Sequence, residues 1–298
     1  MRAALPGLSR FFTRCGIGFM KLLAHAPLPV VRAMGSALGL MLYGLVASRR
    51  AVVHKNLALC FPERTHTERR QMARQSFIYF AQAWLDRSWL WHASPAVLKK
   101  RLVLDGALHE FNGNRPTVVF SPHFYGLDAG ATTINMIISR NFTSIYTPQA
   151  NSLLDQWIRR GRLRFGRVRL FHRLDGVRAN ANALRSGEVL YLLSDMDFGI
   201  SESIFVPFYG VPTATVPSVS RFARLGRAKV ISVVTRLTPN GYRVSIMPAW
   251  QNFPTADVQA DTARVNQHLE ELINEMPEQY YWVHKRFKTR PSGEPSVY

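Results

Sequence analysis

The sequence predicts an α/β fold, a mixed and mostly parallel sheet flanked by helices, led by a hydrophobic N-terminal segment that anchors it to a membrane. Three observations carry this. From residue 115 onward, short apolar runs of strand length alternate with helical patterns, the order that builds a sheet with helices on both faces. Two late runs are joined by Pro239-Asn240-Gly241, a hairpin signal. Ahead of all this lies an uncharged stretch of sixteen residues, Ala33 to Ser48, closed by Arg49 and Arg50.

That stretch falls short of the roughly 20 residues of a spanning helix. It reads as an anchor, interfacial or short and tilted, with Arg49 and Arg50 on the cytoplasmic side. A buried core hairpin is the plainer alternative. Arg2, Arg10 and Arg14 precede an apolar stretch and Ala24-His25-Ala26 resembles a cleavage site, but Lys21 interrupts the run, so a cleaved signal is set aside. The chain divides into a membrane-associated segment, 1–50, and a main domain, 51–298. Residues 68–92 read as a helix crowded with aromatics, among them Phe77, Phe80, Trp84, Trp89 and Trp91. Such a stripe serves either a core or a membrane-interface belt.

In the alternating part, strands are expected at 117–120, 144–147, 168–171, 189–194, 229–237 and 242–247. Helices are expected at 126–139, 152–164, 177–185, 216–225 and 263–276, with Gly187 and Gly226 just past two of the ends.

With 298 residues and 47% apolar content, the chain holds a sizeable core and is not disordered. Cys15 and Cys60 have no metal-ligand spacing, which implies no disulfide framework and suits a reducing compartment. The net charge is +19, and 31 of the 38 basic residues are arginine. That balance calls for an anionic partner: nucleic acid, an acidic protein or an anionic membrane surface. Nucleic acid is disfavoured, since the chain has no helix-turn-helix or zinc-ligand signature.

Sites in such sheets form beyond the carboxyl ends of strands. His123 stands there, after Pro122 and the run 117–120, with Asp128 five residues on. In a continuous helix, residues five apart are rotated by roughly 140°. For Asp128 to orient the His123 ring, the chain between them must therefore turn, and Gly126 permits it. A carboxylate on one ring nitrogen would leave the other free to take a proton from a hydroxyl. No nucleophile accompanies the pair, so the hydroxyl would be the substrate's. Taken alone, the spacing describes a structural ion pair as readily as a catalytic one.

The flanking residues add to this. SPHFYGLDAG resembles the H-x4-D/E element of the bacterial lipid A late acyltransferases, and four other stretches resemble that family in the same order. These are Asn56 to Glu63 (NLALCFPE), Arg160 to Arg164 (RGRLR), DMDFG at Asp195 to Gly199 with FVPFYG at Phe205 to Gly210, and PEQYYWVHKRFKTRPSG at Pro277 to Gly293. The resemblance covers roughly residues 20 to 293. Many members carry Glu where this chain has Asp128.

The resemblance implies transfer of a fatty acyl chain from acyl carrier protein to a hydroxyl of a lipid A precursor at the cytoplasmic face of the bacterial inner membrane, with no cofactor and no metal. His123 would then be the general base, Asp128 its orienting acid, and Arg162 a stabiliser of the thioester oxyanion or of a substrate phosphate. Arg159 to Arg178 holds eight arginines against one acid, Asp175. This run, with Arg159, Arg160, Arg164 and Arg173, is expected to meet the acceptor's phosphates and the acidic carrier; a solvated surface is the alternative. Asp195 and Asp197 follow the clearest strand. Two oxygen ligands do not make a magnesium site, so they are expected to hold arginines or sugar hydroxyls; a purely structural loop role is the alternative. His284 and Arg286 join the expected substrate-binding set through the tail resemblance.

Overall fold

The computed structural model describes residues 6–172 and 175–298. Four helices come first: α1 (Pro6–Leu23), α2 (Leu28–Leu45), α3 (Ala47–Cys60) and α4 (His66–His92). Thr65 starts α4 with a capping box, its hydroxyl accepting the Glu68 N–H while the Glu68 carboxylate accepts the Thr65 N–H. Helix α2 lies along α4 because Gly35 and Gly39 let the two backbones meet. A Cβ on Gly39 would come within 2.5 Å of Ile78 Cα, and one on Gly35 within 2.7 Å of Gln82 Cα. On the same face Arg32 reaches buried Asp86 at 3.0 Å. The expected anchor thus has one face packed on the body. Its other face stays apolar and exposed through Val30, Met34, Met41 and Leu45. By length and composition α2 is able to cross a membrane, and residue 50 falls within α3.

The remainder runs α5 (Pro95–Arg101), β1 (Leu102–Gly106), β2 (Thr117–Phe120), α6 (Leu127–Ile137), β3 (Asn141–Tyr146), α7 (Ser152–Arg162), β4 (Arg167–His172), α8 (Gly176–Arg185) and β5 (Val189–Leu192). Then follow β6 (Ile204–Phe208), β7 (Val211–Thr215), α9 (Ser218–Gly226), β8 (Lys229–Thr238), β9 (Gly241–Ile246) and α10 (Val258–Glu275). One sheet has the order β1-β9-β8-β2-β5-β3-β4, and all its neighbours are parallel except β8 and β9. The mixed, mostly parallel sheet expected from the sequence is therefore present.

Side-chain alternation sends β2 into two cores. Val118 and Phe120 face one that also takes Leu57, Phe77, Phe222 and Leu269. Val119 faces the other, with Ile134 of α6 and Phe142. Helices α3 and α5, strand β1 and the β6–β7 hairpin are not among the elements expected from the sequence. The hairpin turns at Tyr209 and Gly210, both at positive φ, so Tyr209 occupies a conformation that its residue type does not advertise.

Candidate active site

Strand β2 ends at Phe120, and Ser121 still donates its N–H to Leu192 O of β5 at 3.0 Å. Pro122 then holds the preceding residue extended, so the chain leaves the sheet without curling. His123 comes out beside the end of β5. Its backbone N–H donates to Asp195 Oδ2 at 2.9 Å, and its Nδ1 stands 2.5 Å from Asp195 Oδ1. Burial pushes the Asp195 carboxyl up, but the His123 ring, the two bonds from His123 and the charge of Arg286 outweigh it and hold it at about 2. A carboxylate on Nδ1 fixes the tautomer and leaves Nε2 as the acceptor nitrogen.

The expected contact between His123 and Asp128 is not made. Asp128 lies in the first turn of α6, which packs against α4 and α7, and its two oxygens are taken there. Arg87 Nε donates to Oδ2 at 2.7 Å and Arg162 Nε to Oδ1 at 2.9 Å. Burial alone would raise the Asp128 carboxyl; the Arg162 and Arg87 guanidiniums bring it down to about 2. The acid of the H-x4-D element thus holds two arginines, and the acid on the histidine comes from the DMDFG segment. Gly126 keeps an ordinary φ of −73°. Its service is space, since a Cβ there would come within 2.7 Å of Thr235 Cγ2.

Arg162 arrives by a close approach. Asn151 caps α7 by accepting the Leu153 and Leu154 N–H groups. Near the other end, Gly161 sits against Trp91, where a Cβ would stand 2.2 Å from the indole ring. His123, Asp128, Arg162 and Arg87 all line one cavity of about 1050 Å3, at the upper end of the size of small-molecule sites. Its walls are mainly apolar, with Phe80, Trp84, Ile145, Leu170, Phe222 and Tyr281 among them.

The other expected substrate contacts fall elsewhere. Asp195 is buried behind His123. Asp197 accepts from Gly199 N, Thr289 N and Thr289 Oγ1. His284 accepts the Asp197 N–H on Nε2 at 3.0 Å, and burial with the nearby Arg286 charge lowers its pKa to about 4. Arg286 is buried, donating to Ala214 O and Thr215 Oγ1. Arg164 donates to Leu90 O and Ala93 O at the end of α4. Arg159 stacks over Tyr146, Arg160 is exposed on α7, and neither lines the cavity. Arg173 lies outside the described residues.

The five stretches that carry the resemblance meet in space. Asn56 Nδ2 donates to Trp282 O and His284 O of the tail. The tail in turn brackets the histidine, with Tyr281 N–H donating to His123 O and Tyr125 N–H to Gln279 O. Residues 4–289 match the family described as bacterial lipid A biosynthesis acyltransferase. This chain belongs to that family.

The acyltransferase is 31% identical to the lipid A biosynthesis palmitoleoyltransferase of Escherichia coli strain K12, covering 97% of this chain and 94% of that protein. Against the lauroyltransferase of the same strain the identity is 32%, with coverage of 97% and 95%. Against its myristoyltransferase it is 30%, with coverage of 91% and 83%. Two cavity residues of the acyltransferase escaped the sequence reading. Arg87 sat inside what reads as an aromatic helix; its flanking Trp84 and Trp91, over which the guanidinium stacks, were the available signal. Ser194, one residue before Asp195, lines the cavity with a buried hydroxyl that has no partner among the described residues.

Proposed function

We propose that this acyltransferase moves a fatty acyl chain from an acyl carrier protein thioester to a hydroxyl of a lipid A precursor of the Kdo2-lipid IVA type. His123 Nε2 takes the proton of the acceptor hydroxyl while Asp195 stabilises the imidazolium through Nδ1. The alkoxide oxygen attacks the thioester carbonyl carbon, and the carbonyl electrons pass to oxygen. Collapse of that intermediate breaks the C–S bond, and the thiolate leaves with the proton from Nε2. The Arg87–Asp128–Arg162 cluster places a net positive charge in the same cavity for the oxyanion or an acceptor phosphate.

One observation carries this reading: a carboxylate-paired histidine lines a large apolar cavity, and among the described residues no protein hydroxyl is bonded to its ring. A nucleophilic enzyme would place one there. The apolar exposed face of α2, followed by Arg49 and Arg50, supports work at the cytoplasmic face of the inner membrane, with residues 1–50 as the membrane-associated part and 51–298 as the acyltransferase domain. The test is to mix purified enzyme with acyl carrier protein thioesters and lipid A precursors and read the products by mass spectrometry. Acylated precursor is expected with the wild type and none with His123→Ala. Full transfer by His123→Ala would overturn the assignment.

A further inference from the structure

A second pocket, of about 850 Å3, lies where the end of α2 meets α3 and the start of α4. Arg50, His54, Lys55, His66, Arg69 and Arg70 line it, together with Tyr43, Gly44 and two alanines, and among the described residues no acid does. Not all of that charge is free. Arg69 donates to the Phe61, Pro62 and Arg64 carbonyls. Arg50 Nη1 is spent on the Tyr43 and Gly44 carbonyls. Lys55, His66 and Arg70, by contrast, are exposed and have no side-chain partner among the described residues. Glu68, next to Arg69 in the sequence, is held by the Thr65 cap. His54 is not free either, its Nε2 standing 3.2 Å from the Tyr43 hydroxyl, and burial first, then His66, Arg50 and Arg70, lower its pKa.

We propose that this pocket binds the phosphate headgroup of an anionic phospholipid, separately from the catalytic cavity. The charge calls for an anion, and what stands next to it selects a lipid. Gly44 belongs to the exposed face of α2, and Met41 and Leu45 on that face are 51% and 74% exposed. Val30, Met34, Met41 and Leu45 share one helix face by their spacing. A phosphate carrying acyl chains fills the pocket and covers this stripe. Free phosphate meets only the first need, and an acidic protein would leave the stripe in water or against a polar surface. Basic groups next to a membrane-seated helix gain from the negative potential of an anionic leaflet.

The experiment is vesicle flotation of the full chain, which needs no turnover and so stands apart from the catalytic reading. Vesicles of phosphatidylcholine alone are compared with vesicles that also contain phosphatidylglycerol. The wild type is expected to prefer the anionic vesicles. Lys55→Gln with Arg70→Gln should lower that partition by about 30-fold, since each basic group near an anionic surface contributes about fivefold. The same pair should keep its binding to phosphatidylcholine and its transfer to a detergent-dispersed acceptor. A control pair outside the pocket, Arg227→Gln with Arg264→Gln, should leave the anionic preference in place. Equal partition of the wild type into both vesicles overturns the proposal, as does an equal loss in the control pair. So does competition by inorganic phosphate as strong as by lipid, or a loss confined to acyl carrier protein binding.

Discussion

His123 and Asp195 are 72 positions apart, and so are Thr117 and Val189, the first paired residues of β2 and β5. The histidine and its acid are thus the continuation of a parallel strand pair, three residues past its last rung. That is why both the backbone N–H and Nδ1 of His123 meet the same carboxylate.

Asp195→Asn should keep the size of the side chain while losing the charge that stabilises the imidazolium. A fall in kcat of about 10²–10⁴-fold is expected, with KM for both substrates little changed. Asp128→Asn should act differently, leaving the His123 pair intact while freeing two arginines. It should cost about 3 kcal/mol of stability, the low end for breaking a buried pair because both guanidiniums are partly exposed. Steady-state kinetics beside thermal unfolding of the two variants separates the roles; equal kcat losses at equal stability would contradict them.

Arg87 and Arg162 reach the site through one carboxylate, so their effects should not add. Arg87→Gln and Arg162→Gln should each lower kcat/KM, and the double variant should fall short of the summed effect by about 0.5–3 kcal/mol, the coupling of residues sharing a network. A double-mutant cycle on kcat/KM measures this. Strict additivity would mean that the two guanidiniums act independently of Asp128.

The course of the chain through the site was legible in part. The exit of His123 from a buried strand followed from Val118 to Pro122, and the alternation that builds the sheet from the runs beyond residue 115. The partner of His123 was not legible, because it depends on β2 pairing with β5, a contact between segments far apart in sequence. Spacing alone offered the nearer acid, Asp128, and the preference for a local partner was wrong. The same limit applies to Asp197, His284 and Arg286. Their residue types suggest substrate contacts, yet burial assigns them to the knot that holds the tail against His123. Arg87 escaped because an arginine among tryptophans on a helix reads as a surface residue until a second helix closes over it.

Gly161→Ala should be destabilising for a local reason. The new methyl would enter the Trp91 ring, which stands edge-on to Trp157. A cost of about 1–3 kcal/mol is expected for such overpacking. Because α7 must shift away from α4, Arg162 should also lose its place on Asp128 and kcat/KM should fall. Trp91→Leu in the same chain should recover part of both losses. Thermal unfolding and kinetics on the single and double variants give the answer; a Gly161→Ala protein of wild-type stability would refute the close approach.

His284 gives the tail a pH dependence whose sign is fixed by its surroundings. Burial and the Arg286 charge lower its pKa from 6.5 to about 4. Between those values the unfolded chain binds the proton and the folded chain does not, so folding loses ground as pH falls. The stability is complete above the unfolded value and erodes down to about pH 4. Its size is on the order of 1–3 kcal/mol. Asp128 and Asp195, each at about 2 in the folded chain against 3.8 for a free carboxyl, act in a lower window. Melting temperatures at pH 7.5 and pH 5 should therefore differ for the wild type (beyond the drift of the buffer). In His284→Gln, which keeps an acceptor for the Asp197 N–H without the titration, that difference should shrink. An unchanged difference in the variant would place the acid sensitivity elsewhere.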